Sequence, residues 1–133
     1  MNLSEIKRMF PIIWNAFRRN RGELGYTPSY KVCTLHLSHT WGVPVATIGE
    51  NTLGATITWT EDVPGVQTGI FYGTFTENVL TEGKTFIFYS IGLENGYTFH
   101  VSRNSTNFIA ISYRQNGIGA GGFEADIQII VYN

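Results

Sequence analysis

Two histidines three residues apart are the first candidates for chemistry in this sequence. His36 and His39 form an H-x-x-H pair, and two imidazoles on one surface can bind a metal ion. The alternation around them predicts a strand, however, and positions three apart on a strand lie on opposite faces. No carboxylate pattern accompanies the pair. We therefore expect no metal site, with one histidine exposed and the other partly buried.

The single cysteine and the paired carboxylates also favour structural roles. Cys33 lies on the apolar face of the same predicted strand, which is typical of a small core side chain. Glu61-Asp62 flanks a turn, and the segment 124–126 puts two carboxylates on the polar face of a strand. Carboxylates hydrolyse glycosidic bonds only when they face each other across the sugar, about 5–10 Å apart. We therefore predict a protein that is not an enzyme, with no catalytic residue and no cofactor.

Loop aromatics are the remaining candidates for ligand binding. Trp41 lies in the predicted loop 39–44, where an indole can stack on a sugar or fill a contact between subunits. Tyr97 follows a turn that ends at Gly96. Trp59 belongs to an alternating strand pattern that predicts a core position. A carbohydrate-binding or host-receptor-binding module therefore stays open, with Trp41 and Tyr97 as its candidate residues.

Composition limits the classes of protein that the chain can form. Its 133 residues are enough for one domain, with 43% hydrophobic and 14% charged residues against a typical charged fraction of about 25%. Disorder is excluded by this composition, and no apolar run reaches the roughly 18 residues of a membrane span. Residues 1–31 contain six basic and two acidic side chains, and the rest contain three and eight. An acidic body repels phosphates, so we expect no nucleic-acid partner.

The basic head, residues 1–21, has the pattern of a short α-helix with an aromatic-rich stripe. Asn2 is a suitable N-cap, and Pro11 predicts a kink or a division into two short helices. The apolar stripe has the 3-4 spacing of a coiled-coil seam and consists of Leu3, Ile6, Phe10, Ile13 and Phe17. A helix this short is marginal alone. Its stripe therefore packs on its own β domain, on other copies or a larger partner, or on a membrane surface, and we favour an oligomerisation or anchoring role.

Residues 22–28 form a linker, and residues 29–133 are predicted to form an antiparallel β-sandwich of jelly-roll type. Turn signals recur about every 10–15 residues between runs with a period of two. Strands are predicted at 30–37, 54–60, 66–73, 84–91, 97–102, 108–114 and 123–132. Two of them, 84–91 and 123–132, carry apolar side chains on both faces. A single core buries only one face of each of these strands. The second apolar face therefore predicts contact with another subunit, that is, an oligomer.

Several short motifs of the β domain resemble those of one group of phage proteins. They are Ser29-Tyr30-Lys31-Val32, Pro44-Val45-Ala46-Thr47, Glu50-Asn51-Thr52-Leu53-Gly54, Gly73-Thr74-Phe75-Thr76, Lys84-Thr85-Phe86, Ser102-Arg103-Asn104-Ser105 and the ending Ile127-Gln128-Ile129-Ile130-Val131-Tyr132-Asn133. Together they cover essentially the whole β domain. The pattern is similar to that of small proteins of phages that infect Bacteroides-type gut bacteria, including the crAss-like group.

This resemblance implies a virion structural protein: a head or tail fibre, a decoration protein or a connecting module. It further implies a homotrimer that docks on other virion proteins, and it brings no catalytic residues. The segment 1–21 departs from the looser family pattern and resembles an attachment element. We therefore predict a non-enzymatic phage virion protein whose partners are its own copies, other virion proteins and, in the alternative function, a host surface glycan. Neither nucleic acid nor a membrane is an expected partner.

Overall fold

Two antiparallel sheets make up the described part of the protein. The computed structural model describes residues 29–92, 96–115, 118–119 and 122–133, and no helix occurs among them. The strands are β1 (Tyr30–His39), β2 (Val45–Asn51), β3 (Ile57–Glu61), β4 (Ile70–Phe75), β5 (Thr85–Ile91), β6 (Tyr97–Arg103), β7 (Phe108–Gln115), β8 (Ile118–Gly119) and β9 (Phe123–Tyr132). Sheet A has the order β2-β1-β9-β5, and sheet B has the order β3-β4-β7-β6 with β8 paired to β7. The predicted all-β, antiparallel class is confirmed.

The inward faces of the two sheets share one core because their strands alternate as the sequence predicts. Along β9 every second residue from Phe123 to Val131 is buried, and on β1 Cys33 and Leu37 have no exposed surface. Sheet B adds Ile109 and Ile111 to the same cluster. Burial of apolar surface contributes about 25 cal/mol per Å². This term is the main one that holds the sheets together.

Aromatic rings close the core at one end of the molecule. The Phe123 ring of sheet A lies 5.0 Å from Tyr113 and 5.5 Å from Phe99, both in sheet B. β1 ends and β9 begins at this end, which also carries the loops 40–44 and 62–69. We call it the loop end. The chain enters the described domain at the opposite end, at residue 29.

The largest errors of the sequence-based prediction concern β2 and β4. Every residue of β2 is exposed or half-exposed, so its sequence lacks the alternation that reveals a strand. β4 begins at Ile70 rather than at residue 66, because Val66 belongs to a turn in which its N–H donates to the Val63 carbonyl. Gly65, with a φ of 77°, allows that turn.

Trp59 lies in the core as predicted, and one glycine makes room for it. Trp59 of β3 pairs with Gly73 of β4, and its side chain is buried. A Cβ atom on Gly73 would lie only 2.8 Å from the indole ring. Any larger residue at that position would therefore displace the indole. The indole Nε1 is buried and has no hydrogen-bond partner among the described residues.

The predicted helix at 1–21 and the linker at 22–28 lie outside the described residues. The same is true of the proposed oligomerisation or anchoring stripe, which consists of Leu3, Ile6, Phe10, Ile13 and Phe17. The helix, the linker and the role of the stripe therefore stay predictions. The second apolar faces of β5 and β9, in contrast, are described. Phe86 and Phe88 point out of sheet A, and so do Ile130 and Tyr132, which alternate with the buried Ile129 and Val131.

Candidate functional site

Four exposed aromatic side chains lie on the outer face of sheet A. Phe86 and Phe88 of β5 are 49% and 55% exposed, and Tyr30 and Tyr132 end the paired strands β1 and β9. The Tyr132 ring lies 6.1 Å from Tyr30 and 5.6 Å from Phe86. We call these four side chains the aromatic row. Large apolar groups left in water at this density are typical of a surface that binds a partner.

A shallow groove of about 640 Å³ continues from the aromatic row toward the loop end. Phe88 lines one side of it, and Thr34 and Gln128 lie along its floor. His36 Nδ1 lies 2.8 Å from Asp126 Oδ1 across the β1–β9 pair. Their side chains are 43% and 75% exposed. The groove therefore combines an apolar wall with a carboxylate that stays open to a cationic partner.

The two histidines lie on opposite faces of β1, as predicted. His36 is in the groove, whereas His39 is buried with its ring 4.5 Å from Phe71 and 5.2 Å from Phe123. His39 Nε2 lies 3.0 Å from the Gly42 carbonyl oxygen, so Nε2 is the nitrogen that carries the proton in this contact. Within the described ranges, no group of three His, Cys, Asp or Glu side chains could hold a metal ion.

Cys33 takes the structural position that its neighbours predict. It has no exposed surface and packs in the core of sheet A. Burial raises the pKa of its thiol. Because the thiolate is the nucleophilic form, the side chain is inert in the native protein.

The carboxylate pair at the end of β3 holds the turn that follows it. Glu61 Oε2 accepts a hydrogen bond of 2.9 Å from the Gly65 N–H. Asp62 Oδ1 accepts a hydrogen bond of 2.9 Å from the Tyr72 hydroxyl. That hydrogen bond, with burial and the Asp62 charge as smaller causes, raises the pKa of Tyr72. The other pair, Glu124 and Asp126, is exposed on the outer face of sheet A.

Trp41 and Tyr97, the predicted ligand-binding residues, both lie at the loop end but in different clefts. Trp41 is 66% exposed and lines a cleft with Glu61 and Val66. Tyr97 is half-buried and stacks on Tyr113, with ring centroids 5.5 Å apart and an interplanar angle of 25°. It lines a neighbouring cleft. Only Trp41 therefore offers a largely free aromatic surface.

Exposed aliphatic side chains surround Trp41 at the loop end. Val43 and Val45 follow it in the chain and are 47% and 69% exposed, and Val63 and Val66 of the β3–β4 loop are 45% and 54% exposed. We call these four valines and Trp41 the loop-end patch. The sequence-based search did not single it out, although apolar residues inside turn-rich segments were a usable signal. The groove was missed because the His36–Asp126 hydrogen bond joins residues 90 positions apart.

Comparisons of the chain with models of protein families, with curated proteins and with solved structures give no match. In the part of the chain that the structure describes, we find no helix with the length and apolar character needed to cross a bilayer.

Proposed function

We propose that this protein is a structural component of a bacteriophage virion, a fibre, decoration or connecting module that assembles as a homotrimer and docks on other virion proteins. The motif resemblance to small proteins of crAss-like phages supports the location in the virion. The proposal includes no catalytic step, no cofactor, and no nucleic-acid or membrane partner.

The observation that carries the proposal is the loop-end patch. Its five side chains come from two neighbouring loops and the first residue of β2 at one end of the domain, and each is exposed by 45% or more. Trp41 and Val66 line the same cleft, so the two loops form one surface. Apolar surface of this kind at the tip of a domain favours contact with a copy or with another protein. Cyclic symmetry is the usual arrangement when the partner is another copy.

The strand order supports a sandwich of the jelly-roll type for this module. β9 lies between β1 and β5 in sheet A, and β7 lies between β4 and β6 in sheet B. The chain changes sheet between β2 and β3, between β4 and β5, between β5 and β6, and between β7 and β9. Jelly rolls are likewise double-sheet, antiparallel structures in which the chain crosses between the sheets.

Light scattering on the full chain tests the self-assembly. We expect a mass of about three times 14.9 kDa at micromolar concentration. The double variant Trp41→Ser, Val66→Ser should be a monomer. Tyr132→Ser, an exposed aromatic site at the opposite end, should keep the wild-type mass. A monodisperse wild-type monomer would contradict the proposal.

Mass spectrometry of purified phage particles tests the location. Peptides of this chain should be present in stoichiometric amount after density-gradient purification. Their absence from particles, with the protein found only in the lysate, would refute a virion role.

A second function, recognition of a host surface glycan, is favoured by the exposure of Trp41. An indole that is 66% exposed beside the Glu61 carboxylate can stack on a sugar ring while the carboxylate accepts a hydrogen bond from a sugar hydroxyl. A glycan array probed with the full chain should then show hits that Trp41→Ala removes and Tyr132→Ala keeps. An array without hits would rule out this second function under the conditions used.

A further inference from the structure

We propose that the outer face of sheet A is the docking surface for the chain's own N-terminal segment, residues 1–28. The apolar stripe of the segment would cover the aromatic row, and Lys7, which borders the stripe, would reach toward the carboxylate of the groove. The inference goes beyond the proposed function and does not depend on it, because the loop-end patch stays free.

The two apolar surfaces match in chemistry, and the stripe is no longer than the sheet. The outer face carries Phe86, Phe88, Tyr30 and Tyr132, with Ile130 between them. A stripe with the spacing of the N-terminal segment would present isoleucine and phenylalanine along one side of about 18 helical residues, which span at most about 27 Å because Pro11 predicts a kink. The ten residues of β9 span about 33 Å. The stripe therefore fits within the length of the sheet.

The point of entry places the segment beside this face. The Ser29 carbonyl accepts a hydrogen bond of 3.0 Å from the Asn133 N–H, which fixes the start of β1 next to the end of β9. Tyr30 and Tyr132 of the aromatic row follow and precede those two residues. The seven residues 22–28 reach at most about 25 Å. A short tether gives an effective concentration in the millimolar range, which favours the chain's own segment over that of another copy.

Charge complementarity predicts the direction in which the N-terminal segment lies on the outer face of sheet A. Residues 1–28 contain five basic and two acidic side chains, and residues 29–133 contain four and eight. Asp126 lies six residues from Tyr132, about 20 Å along the strand toward the loop end. Arg18 and Lys7 are eleven positions apart in the sequence, which the predicted helix would span in about 16 Å. A segment that runs away from its tether therefore brings Lys7, which borders the apolar stripe, toward the Asp126 carboxylate.

Limited trypsin proteolysis of the full chain, followed by mass spectrometry, tests the proposal. In the wild type, cleavage after Lys7 and Arg8 should be slow. Phe88→Asp places a charge in the aromatic row and should speed that cleavage about tenfold, because cleavage follows the population of the undocked segment. Thr58→Asp, an exposed site on the outer face of sheet B and outside both surfaces, should cleave like the wild type. Equal rates in the wild type and Phe88→Asp would overturn the proposal.

Two further measurements keep the result interpretable. Early cleavage after Lys84, Arg103 or Arg114 would report that Phe88→Asp unfolds the domain, and Phe86→Ser then replaces it as the test variant. Protection of the segment should be the same from about 1 to about 100 µM protein, because docking within one chain does not depend on concentration. Protection that is lost on dilution would instead show a bundle between copies and would overturn docking within the chain. The oligomeric mass is measured separately, so either result leaves the test of the virion function intact.

Discussion

The two sheets bury similar inner faces but present very different outer faces. Several outward positions of sheet B are short or polar, among them Thr58, Thr74, Ser112 and His100, and its outward aromatic pair, Tyr72 and Phe108, is half-buried with ring centroids 5.9 Å apart. No exposed large apolar side chain of the described residues lies on a strand of sheet B. Sheet A, in contrast, carries the exposed aromatic row on its outer face. Among the described residues, the strands of sheet B therefore leave no large apolar side chain widely open to water, whereas sheet A keeps a surface that another element of chain can cover.

The largest expected effect tests whether the inner faces are equivalent. Ile129→Ala in sheet A and Ile111→Ala in sheet B each remove a fully buried side chain from the shared core. Each should lower the free energy of unfolding by about 2–5 kcal/mol, in a single transition seen by fluorescence and circular dichroism in denaturant. Two separate transitions, or a cost below about 1 kcal/mol for only one of the pair, would show that the sheets do not share one core.

An intermediate effect tests the difference between the outer faces. Tyr132→Ala removes the ring contacts with Tyr30 and Phe86 and should cost about 1–2 kcal/mol of unfolding free energy. Thr58→Ala on sheet B should stay within about 0.5 kcal/mol of the wild type. Chemical denaturation of the two variants measures both values. If Thr58→Ala costs as much as Tyr132→Ala, the contrast between the faces fails.

The smallest effect concerns a polar contact of sheet B. Since the Asp62 hydrogen bond raises the pKa of Tyr72, Asp62→Asn should lower that pKa, whereas Asp126→Asn on sheet A should leave it unchanged. The raised pKa means that this contact stabilises the fold below the ordinary tyrosine pKa of about 10 and loses that contribution as the pH rises through the folded value. Spectrophotometric titration of the phenol gives the result. An unchanged Tyr72 pKa in Asp62→Asn would contradict the assignment.

The candidate surfaces were only partly predictable from sequence. The apolar second face of the β5 segment follows from local alternation, and so do the opposite orientations of His36 and His39. β2 was missed because an edge strand that is exposed throughout has no alternating burial. The different clefts of Trp41 and Tyr97 depend on which loops meet at the loop end, and no local pattern records that.

The sequence by itself determined what a period of two can determine: the strand class, the buried residues of β9 and the position of Cys33 in the core. It also separated the basic head from the acidic body. Tertiary structure alone decided which apolar face of β5 turns inward and brought His36 beside Asp126. The physical reason is the distance along the chain between the residues that interact. Alternation is a property of neighbouring residues, whereas strand register and sheet order are set by contacts between segments far apart in the chain.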